Sequence, residues 1–227
     1  MGTMAEQMVT VLDRENTILN RFIAQMRDVT VQGDSMRFRR NLERAGEIMA
    51  YEISKTLEYQ PRSVETPLGE AEIMMPDEEI VVATILRAGL PFHQGFLNYF
   101  DNAQNAFVSA YRKYSKDNSF NIKVEYISTC ELTGKTLIIA DPMLATGGSA
   151  CDAIGQIKKR GAKHIKFIGL IAAPEGLKAL HEAHPDVDIY VAAQDEKLNE
   201  NGYIPTAAGD AGDRLCGTVS YKPNKNQ

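Results

Sequence analysis

Leu-Ile-Ile-Ala-Asp-Pro-Met-Leu-Ala-Thr-Gly-Gly-Ser, residues 137 to 149, is the stretch whose reading decides the fold. Its first four residues, Leu137 to Ala140, form a short apolar run between Gly134 and Pro142. Such a run reads as a central strand buried on both faces, with Asp141 at its end. Thr146, Gly147, Gly148 and Ser149 then lead into Ala150 to Ile154, a good helix start. A strand, a glycine turn and a helix N-terminus together make an anion site, because free backbone N–H groups converge there and the helix dipole favours negative charge. Gly147 and Gly148 let the backbone approach the anion closely. A carboxylate beside a phosphate cradle calls for a second kind of partner, and sugar hydroxyls or a metal are the obvious choices.

Working outward, strand and helix patterns alternate from residue 80 onward. Ile80–Leu86, Phe107–Tyr111, His164–Ala172 and Val187–Ala192 read as strands. Leu90–Phe100, Gly148–Lys159 and Pro174–Glu182 read as helices, with proline tolerated in the first turn and Gly161 as a stop. The alternation predicts an α/β fold with a mostly parallel sheet and helices on both faces. Before it, Asp34 or Ser35 caps a helix through about Glu58, whose apolar positions Leu42, Ala45, Met49, Ile53 and Leu57 fall at helical spacing. Ala71–Met75 reads as an edge strand. The expected organisation is one domain over residues 1–227. It has an N-terminal helical cover to about residue 60, a β-arm or lid at about 113–131, a hood at about 193–218 and a polar tail at 219–227.

The chain has 227 residues, 44% of them hydrophobic, enough for one sizeable core. Its net charge of −5 argues against a broad nucleic-acid-binding face. Cys130, Cys151 and Cys216 show no paired spacing, which suggests reduced thiols and a cytoplasmic setting. Cys151, near a helix start, reads as a small buried residue. No apolar run is long enough to cross a bilayer. His181 and His184 do not have the spacing of a helical zinc pair, His93 reads as packing, and Gly176 as a turn-to-helix feature.

In an open α/β sheet, ligands bind at the carboxyl ends of the strands. Ile80–Leu86 is followed by Arg87, Phe107–Tyr111 by Arg112, and Leu137–Ala140 by Asp141. The rigid fork of an arginine suits pyrophosphate oxygens. The glycine turn carries neither Gly-x-x-x-x-Gly-Lys nor Gly-x-Gly-x-x-Gly.

Asp141 to Ser149 resembles the phosphoribosyl pyrophosphate (PRPP) loop of type I phosphoribosyltransferases, and as a whole the uracil phosphoribosyltransferase version of it. Many of those loops have two adjacent acids; here the second position is Pro142. Ile85-Leu86-Arg87-Ala88-Gly89-Leu90, Tyr111-Arg112, Ala172 to Gly176, Ala183 to Val187, Leu198 to Ile204 and Gly209 to Arg214 resemble the same family in order, over roughly residues 35 to 218.

The resemblance implies a fold, an activity and a set of roles. Asp141 faces ribose hydroxyls; the stretch Asp141, Pro142, Met143, Leu144, Ala145, Thr146, Gly147, Gly148 and Ser149 holds PRPP; and Arg87 and Arg112 hold pyrophosphate. Ile204, Gly209, Asp210 and Ala211 meet uracil, and Asp210 also lies by PRPP and its Mg²⁺, which is held mainly through the substrate. The family pairs its pyrophosphate arginine with a cis peptide, placed here at Leu86-Arg87. The implied reaction is uracil plus PRPP giving UMP and pyrophosphate, in pyrimidine salvage. GTP as an effector and a homo-oligomer, dimer or tetramer, are implied by resemblance alone. Rival readings are a same-fold enzyme with another base, and a nucleotide-sensing RNA-binding regulator. Retention of Arg87, Arg112, Asp141 and Asp210 speaks against the regulator. The chain departs from the family at Pro205-Thr206-Ala207-Ala208, where relatives carry an aliphatic residue and then Pro-Gly-Leu, and weaker uracil binding is the expectation there.

Overall fold

The computed structural model describes residues 9–114 and 120–218, with the side chains of 110–125 outside the described set. A seven-stranded sheet runs in the order β1-β9-β8-β7-β4-β5-β6. Its strands are β1 (Val9–Val11), β4 (Ile80–Leu86), β5 (Gln104–Tyr114), β6 (Phe120–Ser128), β7 (Thr136–Leu144), β8 (His164–Ala172) and β9 (Asp188–Gln194). Every neighbouring pair is parallel except β5 and β6, which form an antiparallel hairpin. A separate hairpin joins β2 (Tyr59–Thr66) to β3 (Gly69–Pro76).

The strands read as apolar runs because both faces of the sheet are covered. Along β7, Leu137 and Ile139 join a core with α4 (Gly148–Lys158) and α5 (Pro174–Ala183). Ile138 and Ala140 point the other way, into a core with α1 (Leu19–Arg27) and α2 (Ser35–Ser54). The period of two in a pleated strand makes this division. The second core also takes in α3 (Leu90–Leu97), α6 (Ala211–Cys216) and the hood residues Ile204, Ala207 and Ala208.

Helix α2 buries Leu42, Ala45, Met49 and Ile53, as its spacing predicts, and Asp34 caps it by accepting from the Arg37 N–H at 3.0 Å. It crosses α3 at two glycines: a Cβ on Gly95 would lie 2.8 Å from the Gly46 Cα. The outer face carries the Arg40–Glu43 ion pair at 2.7 Å, as a solvated face should.

Several sequence expectations shift. The helix from Ser35 ends at Ser54, not Glu58, because Tyr59 already opens β2. The edge strand expected at Ala71–Met75 is the second half of a hairpin whose first half, Tyr59–Thr66, has no clear apolar alternation to announce it. Val9–Val11, expected within a partly helical segment, forms β1 at the sheet edge. Over the residues expected for an arm, β5 and β6 pair antiparallel, and β5 also pairs with β4, while residues 115–119 lie outside the described residues.

Strand β7 runs past Asp141 to Leu144. Its ladder with β4 stops at Ala140, while pairing to β8 continues to Leu144. Pro142, which has no N–H to give, therefore sits beyond the reach of β4. Between β4 and β7 the order also reverses: the chain leaves β4 for β5 on one side and returns to β7 on the other. Such a switch point leaves a crevice at the carboxyl ends of the strands.

Candidate active site

The crevice is a cleft of about 490 Å³. Arg87 and Ala88 line it from the end of β4, Ser109 from β5, Asp141 and Met143 from β7, and Ala145 and Ser149 from the turn into α4. The hood closes it with Gly202, Tyr203, Ile204 and Gly209 to Gly212. Of the residues singled out in the sequence, Arg87, Asp141, Met143, Ala145, Ser149, Ile204, Gly209, Asp210 and Ala211 thus meet in one place. Pro142, Leu144, Thr146, Gly147 and Gly148 shape the turn without lining the cleft. Arg112 lies on β5, opposite Ile122 of β6, and its side chain is outside the described residues.

Gly147 caps α4 with φ 83°, a left-handed conformation that favours glycine. A Cβ there would lie 3.0 Å from the Gly176 carbonyl oxygen. From the other side, a Cβ on Gly176 would lie 2.7 Å from the Leu144 carbonyl oxygen. Gly176 is therefore more than a turn-to-helix feature: it lets α5 rest on the back of the cradle. The sequence signal for it was a glycine inside the first turn of a helix, where glycine is unfavourable unless space demands it.

Asp141 is buried, and the only hydrogen bond to its carboxylate among the described residues is a long one from the Met143 N–H, 3.4 Å. Burial pushes its pKa up to about 7, the Met143 N–H opposing. A carboxylate so poorly satisfied by the protein is ready to accept hydrogen bonds from hydroxyls of a ligand. Next to it the Leu86–Arg87 peptide bond is cis, at the place the resemblance implied. The buried Thr84 hydroxyl donates to the Ala140 carbonyl at 3.0 Å. A Cβ on Gly89 would lie 2.8 Å from that same carbonyl oxygen. The Arg87-Ala88-Gly89 loop can therefore lie directly against β7.

Arg87 is held by a residue the sequence reading did not single out. Its Nη2 donates to Asp213 Oδ1 at 3.0 Å. The Thr218 hydroxyl, then Arg87, hold the Asp213 carboxyl below the usual range. The pair is exposed, so its net contribution to stability is small. Asp210 caps α6, accepting from the Asp213 N–H at 3.0 Å. The hood is folded by local bonds: Asn199 Oδ1 accepts from the N–H groups of Asn201 and Tyr203, and Gly202 turns with φ 73°.

His93 packs as read from the sequence, whereas Cys151, read as buried, is only partly so. His93 is buried, its Nε2 3.1 Å from the Val82 carbonyl oxygen and its ring against Phe107. His184 Nε2 lies 2.9 Å from the Cys151 carbonyl oxygen. Burial, with Asp152 nearby, pushes the Cys151 thiol up, so the helix start does not activate it.

A mostly parallel seven-stranded sheet with helices on both faces, a glycine turn at its switch point and an acid at the strand end is the architecture of type I phosphoribosyltransferases. A hypoxanthine phosphoribosyltransferase structure from Staphylococcus aureus shares the fold at a TM-score of 0.50 and 13% identity, over 81% of this chain and 83% of that one. A solved structure from Aquifex aeolicus is similar at a TM-score of 0.84 and 34% identity, covering 94% of this chain and all of that one. Residues 14–218 match the family model described as uracil phosphoribosyltransferase. The uracil phosphoribosyltransferase of Porphyromonas gingivalis is 52% identical over 91% of this chain and 96% of its own. That of Staphylococcus aureus is 42% identical over 90% and 96%. The chain belongs to the uracil phosphoribosyltransferase family.

Proposed function

We propose that the protein transfers the phosphoribosyl group of PRPP to uracil, forming UMP and pyrophosphate, as an enzyme of pyrimidine salvage. One observation carries the reading: a single cleft joins Arg87, Asp141, the turn into α4 and the hood. In this reading Asp141 accepts the ribose hydroxyls, and the backbone from Ala145 to Ser149 holds the 5-phosphate. Arg87 and Arg112 hold the pyrophosphate, and Ile204, Gly209 and Ala211 face the base.

The bond between the anomeric carbon and pyrophosphate breaks as a uracil nitrogen bonds to that carbon. Positive charge develops on the sugar and negative charge on the leaving group, so positioning and leaving-group stabilisation are the protein's main tasks. Swinging Arg87 from Asp213 to pyrophosphate exchanges one anion for another without stranding the guanidinium. In this reading the β5–β6 hairpin excludes water, which competes for an activated sugar.

Among the described residues no three His, Cys, Asp or Glu side chains form a metal cage. The two carboxylates of the cleft, Asp141 and Asp210, fit a Mg²⁺ bound mainly through substrate phosphates. Such an ion would neutralise charge on the pyrophosphate as it leaves.

Family membership extends the proposal to a homo-oligomer and to GTP as an effector. Exposed Leu68, Ile73, Met74 and Met75 on the β2–β3 hairpin support association of copies. The three free cysteines fit a reducing cytoplasm. No helix among the described residues is long and apolar enough to cross a membrane. The test is to mix protein, Mg²⁺ and PRPP with uracil, cytosine or hypoxanthine. UMP and pyrophosphate from uracil alone is the expected result; turnover of another base in preference to uracil would replace this reading.

A further inference from the structure

We propose that Arg27, on the first helix and outside the cleft, is a positioning residue for the base: it clamps the loop that presents Ile204. This rests on the reading of that loop as the uracil site. Arg27 is the last residue of α1, and its guanidinium leaves the helix toward the end of β9. Nη1 and Nη2 each donate to one carboxylate oxygen of Asp195 at 2.6 Å, a bidentate pair in which the Asp195 side chain is only 7% exposed. Nη1 also donates to the main-chain carbonyl of Thr206 at 2.6 Å, and the Thr206 hydroxyl donates to Asp195 at 2.6 Å. Burial alone would push the Asp195 carboxyl up, but Arg27 and Thr206 outweigh it and hold it below the usual range.

Two residues from Ile204, the hood is thus bolted to β9 and α1 at once. The tie runs through the carbonyl and the hydroxyl of Thr206, both aimed at one ion pair whose acid is nearly buried. A fixed loop presents its backbone groups to a base at one angle, whereas a loose one must be ordered on binding, at an entropic cost. In the proposed reading PRPP is held by the cradle and the two arginines; among the described residues Arg27 bonds to neither the cradle nor Arg87. Loss of the clamp should therefore weaken uracil and spare PRPP.

The experiment measures KM for uracil and for PRPP, with melting curves by circular dichroism, in wild type, Arg27→Gln, Arg27→Lys and Thr206→Val. Loss of a charge-assisted contact predicts a rise of about tenfold in uracil KM for Arg27→Gln. A smaller rise is expected for Thr206→Val, with PRPP KM unchanged in both. Lysine keeps the charge but not the fork, so it should restore only part of the loss. Unchanged uracil KM in folded Arg27→Gln, or equal rises for both substrates, would overturn the clamp. If Arg27→Gln does not fold, Thr206→Val, altered only at an exposed hydroxyl-bearing position, decides by the same criterion. Wild-type protein that makes no UMP would overturn the functional reading along with the clamp; active wild type with unmoved uracil KM overturns the clamp alone.

Discussion

The cradle at residues 137–149 and the hood at about 193–218 line the same cleft and are held in different ways. The cradle is an extension of the most buried strand, and its shape follows from backbone: β7 pairs on both sides to Ala140 and on one side to Leu144, and then Gly147 turns the chain into α4. The hood has one short helix and local turn bonds, and side chains from far away in sequence tie it to the rest of the molecule. Arg27 holds Thr206 and Asp195, and Arg39 donates to the Leu215 carbonyl at 2.8 Å. On the proposed function, the part that meets the invariant portion of the substrate is built into the sheet, and the part that selects the base can be altered by changing a few ties, leaving the sheet alone.

The largest effect should come from breaking the backbone of the cradle. In Gly147→Val a β-branched side chain would need φ 83° and would meet the Gly176 carbonyl oxygen. Loss of measurable PRPP binding by calorimetry is expected. Wild-type affinity in the folded variant would remove the turn from the site. Next comes Arg87→Ala, which on the proposed function removes a donor to the leaving group. Turnover should fall by about 10²–10³ with the fold intact, since Arg87 is exposed and its pair with Asp213 contributes little. Near wild-type kcat would leave Asp213 as its only role. Arg112→Ala is expected to behave in the same way, by the same assay.

Asp141 sharpens the comparison from the side of stability. Its pKa in the folded protein, about 7, lies above the ordinary 3.8. Between those values the folded state keeps a proton that the unfolded chain has released, so stability from this group is complete below about pH 4 and is lost as pH rises through 7. Asp141→Asn cannot ionise. Without ligand it should therefore gain on wild type as pH rises, by an amount on the order of a few kcal/mol above pH 7, while its turnover falls. Parallel melting curves for the two proteins from pH 5 to 8.5 would show that burial costs nothing there.

The contrast also explains what the sequence could disclose. Leu137 to Ser149 is contiguous, so strand, turn and helix start lie side by side and the anion site is readable without neighbours. Arg87 and Asp141 could be brought together by the rule that ligands sit at strand ends. Strand β7 runs four residues past its expected end at Ala140; Pro142 reads as a breaker, and only the pairing to β8 alone shows why it is tolerated. The bond from Arg27 to Asp195 spans 168 positions and no local pattern signals it. Gly176 needed the cradle's carbonyls in view before its lack of a side chain had meaning.

The smallest effect tests how far the tetrad Pro205-Thr206-Ala207-Ala208 matters. Ile-Pro-Gly-Leu is the replacement that the family resemblance implies. Proline at 206 loses the hydroxyl that donates to Asp195 but keeps the main-chain carbonyl that accepts from Arg27. Glycine at 207 keeps the N–H that bonds the Ile204 carbonyl at 3.2 Å. Most of the scaffold of the loop thus survives, and isoleucine at 205 frees Ile204 from the restriction a following proline imposes. Uracil KM should fall by about threefold or less, under 1 kcal/mol, with PRPP KM unchanged. Leucine at 208 enters a position only 3% exposed, and overpacking of that kind costs about 1–3 kcal/mol of stability. The swap should therefore melt earlier while binding uracil slightly better. A gain of tenfold or more in uracil affinity would mean that the tetrad, and not the clamp behind it, sets the base. A rise in PRPP KM would mean that the hood reaches the phosphates, and the division between cradle and hood would not hold.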